Sequence, residues 1–289
     1  MTEKIEKSMY NWDVNITFYP TSHQYKKDWE NIMSVTTITG VVDKSWPLIA
    51  WATNLAKDYL INLIEHREWE DFTKEDIVRA CQLHREKKEE AASIGKQAHQ
   101  WAEDYIKRWD MTLPEDEKVA QAVSWFLDWK TEHNVSFECS EVMVYSKKHN
   151  YVWLFDTIGI IDWKRYLIDF KTSNYIYMLE YWMQLTAYLK AYEEELNYWI
   201  PEFIDEKVNE MFNEEWEKVD VCETIPNPLY KKLDWVLVIK FAKDIEDKNG
   251  NPIPSFEVQP ILEIDYFFEA FLAAKVLKTA VKKYEKWQQ

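Results

Sequence analysis

The segment YVWLFDTIGIIDWKRYLIDFKTS, residues Tyr151–Ser173, constrains the fold of this chain more than any other stretch. Val152–Ile161 and Tyr166–Thr172 are apolar and rich in β-branched residues, which is typical of strands. The polar run Asp162–Arg165 between them predicts a tight turn, which we centre on its second and third residues. The segment therefore predicts a β-hairpin.

Three charged side chains interrupt this apolar hairpin. In the predicted register, Asp156 lies opposite Lys171 and diagonal to Asp169, and all three share one face because side chains alternate along a strand. Buried charges are costly unless they pair or bind a metal ion. The hairpin thus predicts either a salt-bridged pair at a sheet end or a functional site, and a one-residue shift of register would scatter the three groups.

Composition narrows the class of protein. The 289 residues include 16 Trp, 17 Tyr and 13 Phe, enough for the core of one domain spanning residues 1–289, and four glycines argue against long flexible linkers. No window resembles a membrane span or a signal peptide. Cys81, Cys139 and Cys222 are too widely spaced for a disulfide framework or a Cys-ligated cluster, which favours the cytoplasm.

The net charge of −16 argues mildly against a protein that coats nucleic acid through bulk electrostatics. It leaves room for an enzyme with a locally basic groove, and an acidic metal centre would itself contribute negative charge. The charge therefore limits how nucleic acid could be bound without excluding it.

The order of elements predicts an α/β fold with a mixed central β-sheet flanked by helices and a helical N-terminal elaboration. The core covers about residues 30–195 plus the C-terminal hairpin and helix 233–289, and the acidic, irregular residues 197–231 form a peripheral insertion. The other predicted strands are Asn15–Tyr19, Ser34–Val42, Ser136–Ser146, Leu233–Phe241 and Ser255–Leu262. The predicted helices are Leu48–Glu65, Lys74–Trp109 (one helix or two), Pro114–Glu132, Leu179–Leu196 and Ile264–Trp287.

Two of these elements carry further charged candidates. Arg85, with Lys87 and Lys88 beside it, lies in a helical run whose charges either form a solvated face or contact a polyanion. Glu141 lies on the strand before the hairpin and is either an additional acid of the site or a surface acid. Both residues remain open as site candidates.

Four motifs in order resemble those of the PD-(D/E)XK nuclease superfamily, within it the group of the RecB nuclease domain, the CRISPR-associated RecB-like exonucleases and phage exonucleases. Members of this group have a helix with Gly-x-x-x-His, a strand with a metal-binding Asp, an Asp/Glu-x-Lys strand about thirteen residues later, and a helix with Gln-x-x-x-Tyr. Here these are Gly95…His99, Asp156, Asp169-Phe170-Lys171 and Gln184…Tyr188. A lone Asp-x-Lys carries little information, whereas the ordered set is specific.

The resemblance implies a restriction-endonuclease-like core and a role for each matched residue. Asp156 and Asp169, with the Phe170 carbonyl and His99, would bind Mg²⁺ or Mn²⁺. Lys171 would orient the attacking water or stabilise the charge of the transition state. The remaining pair, Gln184 and Tyr188, would bind the DNA backbone or support the site from behind.

Two departures from the family pattern stand out. Trp153 occupies the position three residues before the first Asp, where the family usually has glycine. The four cysteines that hold an iron–sulfur cluster in the CRISPR-associated members are missing, so no cluster is expected. Asp162 offers a competing Gly-x-x-Asp match through Gly159, which we reject because the turn consumes the residues between it and Asp169.

The function expected from this resemblance is that of a metal-dependent DNA exonuclease in phage or bacterial recombination, replication or repair. Its partners would be DNA and a phage recombination or replication protein, in the bacterial host cytoplasm and without a membrane. Two alternatives stay open, a structure-specific endonuclease or resolvase and a catalytically weak DNA-binding accessory subunit.

Overall fold

A computed structural model describes residues 4–10, 12–66, 73–173, 176–203, 231–241, 250–251 and 256–287. Most of the predicted insertion 197–231 lies outside these residues, as does Cys222. Cys81 and Cys139 are free thiols. No helix in the described stretches combines the length and the apolar character that crossing a membrane requires.

The described residues contain nine strands that form one mixed sheet. They are β1 (Ile5–Met9), β2 (Val14–Tyr19), β3 (Gln24–Lys27), β4 (Glu30–Ser34), β5 (Ser136–Ser146), β6 (Tyr151–Ile161), β7 (Lys164–Thr172), β8 (Trp235–Phe241) and β9 (Phe256–Pro260). The order is β1-β2-β3-β4-β6-β7-β8-β9, and β5 also pairs with β6. The β4–β6 and β7–β8 pairs are parallel and the other pairs antiparallel, which confirms the predicted mixed sheet.

Helices cover both faces of this sheet. They are α1 (Val35–Thr39), α2 (Ser45–His66), α3 (Lys74–Arg108), α4 (Glu117–Glu132), α5 (Met178–Phe203) and α6 (Ile264–Trp287). Alternate residues of β8 enter different apolar clusters: Val236 and Val238 pack with α5 and α6, whereas Leu237 and Ile239 pack with α3 and α4. Because alternate residues of a strand point to opposite faces, the two helix layers lie on opposite sides of the sheet.

The N-terminal elaboration differs from the prediction. It begins with an antiparallel meander, β1–β4, rather than with helices. Its inner face, including Ile16, Phe18 and Tyr25, packs against Tyr145 and Val152 of β5 and β6. The meander therefore covers one end of the strand that carries Asp156.

The predicted strand Ser34–Val42 is also wrong, because β4 ends at Ser34 and α1 follows at once. The Ser34 hydroxyl accepts a hydrogen bond from the Thr37 amide at 3.1 Å and so caps the helix. Such a cap satisfies a backbone donor at the helix start. Here it outweighs the preference of the β-branched residues Val35–Thr39 for a strand.

The hairpin register is offset from the predicted one by two residues. Ile161 pairs with Lys164, so the turn consists of Asp162 and Trp163, both with positive φ (47° and 67°). Two positive φ values are typical of a type I′ turn, whose twist matches that of paired strands. The offset is even, so the paired residues keep their predicted faces, whereas Asp156, Asp169 and Lys171 lie beyond the last β6–β7 pair, Thr157 with Ile168.

Helix α3 lies unusually close to β7 at Gly95. A Cβ atom on this residue would stand 2.7 Å from the Thr172 hydroxyl oxygen. The glycine therefore lets the helix approach the strand, and His99 lies one turn further along the same helix. This contact sets how far α3 stands from the centre of the sheet.

We expect Trp163→Gly to stabilise the protein. The ring of Trp163 is 97% exposed, so its loss removes little packing, while glycine relieves a left-handed conformation that costs about 1 kcal/mol in other residues. Urea unfolding should show a gain of about 1 kcal/mol over Trp163→Ala, which removes the same ring and keeps the strain. Equal stability of the two variants would contradict this account of the turn.

The close approach at Gly95 predicts a reversal of sign in a double-mutant cycle. Gly95→Ala should destabilise the protein by about 1 kcal/mol, because overpacking exceeds the gain in helix propensity. In a Thr172→Ala background, where the clashing oxygen is gone, the same substitution should stabilise by about 1 kcal/mol. Urea unfolding of the four proteins measures both terms, and an identical effect in the two backgrounds would exclude the clash.

Candidate metal centre

The candidate site lies where β6 and β7 separate. β5 occupies one edge of β6 along its whole length, while the other edge pairs with β4 at Tyr151–Val152 and with β7 from Thr157 onward. Between these contacts that edge has no strand partner among the described residues. The Asp156 carboxylate fills the gap, since its Oδ2 accepts a hydrogen bond from the Phe170 amide at 2.6 Å.

Asp169 and Lys171 lie two residues apart on β7 and form an ion pair. Asp169 is buried, and the Lys171 Nζ stands 5.3 Å from the centre of the Tyr181 ring of α5. Burial raises the pKa of Asp169 to about 6; the neighbouring charge of Asp156 adds to this, while Lys171 opposes it. The carboxyl of Asp169 is thus held at an unusually high pKa.

His99 approaches Asp156 from α3, with its Nδ1 3.5 Å from the Asp156 Oδ1. Burial alone would raise the pKa of Asp156, but His99, Lys171 and the Phe170 amide together outweigh it, and the pKa is lowered. Burial likewise works against the protonated imidazole, and Asp156 reverses this and raises the pKa of His99. The two carboxyls therefore have pKa values displaced in opposite directions, as in many acid–base and metal sites.

A cavity of about 260 Å³ opens beside His99 and Asp156. Its lining includes Glu103 and Glu141 together with the polar side chains of Lys96 and Gln100. With Asp156 and His99, the side chains of Lys96, Glu103 and Glu141 give the cavity wall five ionisable groups. It is the concave surface through which an external group would reach Asp156.

Glu141 belongs to this cavity wall. Its neighbours on β5 pair with Phe155 and Thr157, which places it across from Asp156, and its φ of 54° is unusual for a residue other than glycine. Backbone strain of this kind is concentrated at functional sites. Burial raises the pKa of Glu141 and the charge of Glu103 adds to it, against the opposing effect of Lys107.

The sequence prediction did not include Glu103 in the site. The Lys107 Nζ lies 2.5 Å from Glu103 and 3.6 Å from Glu141, so one ammonium joins helix α3 to strand β5. The signal was present, because Glu103 follows His99 by four residues and shares its helical face. The sequence does not show that β5, which carries Glu141, lies opposite this face of α3, so the role of Glu103 could not be recognised.

Gln184 and Tyr188 are both buried and do not face solvent. The Gln184 amide donates to the Thr39 hydroxyl at 3.3 Å and to the Glu180 carboxylate at 3.4 Å, which ties α5 to α1. The Tyr188 ring stacks parallel to Trp153, with centroids 6.1 Å apart. In this arrangement both residues support the site from behind rather than line its open side.

Arg85 is not brought to the site. It is exposed on the first half of α3, fourteen residues before His99, and a helix rise of 1.5 Å per residue separates the two by about 21 Å. Of the two interpretations of its charged run, a solvated helix face fits this position. One such contact is the ion pair of Lys87 with Glu90.

The donor types at the centre suit a hard divalent cation. Carboxylates are usual ligands of Mg²⁺ and Mn²⁺, and the imidazole favours Mn²⁺ of the two; the ionised Asp156 and the buried Asp169 are balanced here by His99 and Lys171. No three His, Cys, Asp or Glu side chains in the described ranges already converge in the geometry of a metal site. The Phe170 carbonyl as a ligand stays a prediction.

Compared with known protein families, the chain matches no family model, and it matches no curated protein. The resemblance to nucleases therefore rests on the four ordered motifs of the sequence alone.

Proposed function

We propose that this protein is a metal-dependent deoxyribonuclease that hydrolyses phosphodiester bonds at Asp156, Asp169 and Lys171. The observation that carries the proposal is that pairwise contacts hold these residues and His99 at one gap in the sheet, Asp169 and Lys171 as a buried ion pair. The elements that carry these residues are α3, β6 and β7, followed by α5 with Gln184. This is the order of helix, strand, strand and helix that the resemblance requires. We assign β5–β8 with α3 and α5 to a restriction-endonuclease-like core.

The roles of the side chains follow from their positions. Asp156, Asp169 and His99 would hold Mg²⁺ or Mn²⁺, and a bound cation would activate water and neutralise phosphate charge. Lys171 places an ammonium beside Asp169, where it can orient the attacking water and stabilise negative charge on the phosphorus oxygens. The Phe170 amide fixes one oxygen of Asp156, so that carboxylate presents its other oxygen to His99 and the cavity.

The mode of cleavage that we propose is exonucleolytic, with DNA as substrate and with a role in phage or bacterial recombination, replication or repair. A phage recombination or replication protein would be its partner in the host cytoplasm.

A specific observation, the packing of Trp153, bears on the alternative of a weak accessory subunit. Trp153 stands where related nucleases have glycine, and its half-buried ring packs against Tyr188 and Tyr25. This packing gives Trp153 a structural role, and the acids of the site are intact. The tryptophan is therefore not by itself an argument for the accessory subunit.

Asp169→Asn should reduce cleavage of end-labelled linear DNA in Mn²⁺ by 100-fold or more, since it removes a charged ligand while keeping the side-chain shape. Lys171→Ala should do the same through loss of the ammonium. The matched control is Asp162→Asn, an exposed aspartate in the turn of the same hairpin, which should cleave like the wild type. Undiminished, metal-dependent cleavage by purified Asp169→Asn protein would overturn the assignment.

Covalently closed circular DNA separates the modes of cleavage. An exonuclease should degrade linear DNA in Mn²⁺ and leave relaxed circular DNA intact, because the circle offers no end. Linearisation of the circle would instead support the endonuclease or resolvase. Binding of DNA without cleavage of either form, in Mg²⁺ or Mn²⁺, would support the accessory subunit.

A further inference from the structure

Two deeply buried tyrosines differ from the rest in their hydrogen bonding. Six tyrosines of the described chain are fully buried, and four of them donate hydroxyl hydrogen bonds to neighbouring groups. The hydroxyls of Tyr25 and Tyr188 have no partner among the described residues. The partnered tyrosines are Tyr10, Tyr145, Tyr151 and Tyr192.

The two exceptions both contact the ring of Trp153. Tyr188 of α5 stacks parallel to Trp153, and Tyr25 of β3 lies 6.3 Å from the same indole, measured between ring centroids. Trp153 precedes Asp156 by three residues on β6. The meander and helix α5 thus bring both tyrosines to the same part of β6, and Tyr188 also stacks on Phe155, the neighbour of Asp156, with ring centroids 6.4 Å apart.

Tyr188 is within electrostatic reach of Asp169 and Asp156, and Tyr25 is within reach of Glu141 in the cavity wall. Burial raises the pKa of Tyr188 well above its usual value, and the charges of Asp169 and Asp156 raise it further. Burial also raises the pKa of Tyr25, and there the added charge is that of Glu141. Both phenols therefore remain protonated donors at neutral pH, near carboxylates that can accept.

A buried donor without an acceptor destabilises a fold, and natural interiors contain few of them. The nearby acids offer a function for the two unpartnered hydroxyls of Tyr25 and Tyr188. Carboxylates that ligate a metal are usually hydrogen-bonded by an outer layer of donors, which fixes their orientation. Tyr25 and Tyr188 are the unpartnered hydroxyl donors best placed to form such a layer.

We propose that Tyr25, together with Tyr188, is a positioning residue of the metal centre: once a cation is bound, their hydroxyls donate hydrogen bonds to the oxygen atoms that surround it. This inference rests on the proposed function, because it requires that Asp156 and Asp169 bind a metal ion. Tyr25 lies outside every motif of the nuclease resemblance and comes from the N-terminal meander. The meander would then be a part of the site rather than a cover for the sheet.

Mn²⁺ affinity tests the proposal without relying on catalysis. We would titrate the full-length protein with Mn²⁺ by calorimetry, as wild type, Tyr25→Phe and Tyr188→Phe, and measure the Tm of each metal-free protein. Each substitution removes only a hydroxyl, so affinity should fall by about 10- to 100-fold. The metal-free Tm should stay equal or rise, because the hydroxyl removed has no partner in that state.

Tyr10→Phe is the matched control, since Tyr10 is as buried, belongs to the same meander and donates its hydroxyl to the Tyr145 carbonyl at 2.8 Å. It should lower the Tm and leave Mn²⁺ affinity within about twofold of the wild type. Wild-type affinity in Tyr25→Phe would overturn the inference, as would a loss of affinity that accompanies a lowered Tm. Those results would leave the proposed nuclease standing if the wild type binds Mn²⁺, whereas a wild type that binds none would overturn both.

Discussion

The hydrogen bond from the Phe170 amide to the Asp156 carboxylate is the interaction on which the candidate site depends. It replaces the backbone ladder at the point where β6 and β7 part, and so keeps the opened strands at a fixed separation. A carboxylate in this position satisfies an amide that would otherwise be buried without a partner. The same bond leaves the other Asp156 oxygen directed to His99 and the cavity.

The charges at the gap are balanced in pairs. Asp156 faces His99 and Asp169 faces Lys171, so neither carboxylate is buried without a positive neighbour. Breaking such a pair is costly, because it leaves an uncompensated charge in a medium of low dielectric constant. The arrangement holds two acids within one centre. Their surroundings displace the two pKa values in opposite directions, downward for Asp156 and upward for Asp169.

The N-terminal meander changes the meaning of Trp153. By sequence alone Trp153 is a departure from the resembled family, which usually has glycine at this position. In the structure the ring is packed against Tyr188 from one side of the fold and Tyr25 from the meander, with His23 at its edge. The large aromatic ring thus provides a surface on which the meander packs.

The sequence by itself determined the hairpin, the order of most helices and strands, and the identity of Asp156, Asp169 and Lys171 as a group. Periodicity and turn chemistry are local, so they specify elements and faces without knowledge of the rest of the chain. The wrong turn centre did not change the faces of the paired residues of β6 and β7, because the offset is even. Tertiary structure alone decided what lies opposite each element: Glu103 beside Glu141, Gln184 against Thr39, and Tyr25 near Trp153. It also turned Val35–Thr39 into a helix, because a cap and its packing outweighed local preference. Contacts between residues far apart in the chain follow from how apolar faces pack, and no local pattern records them.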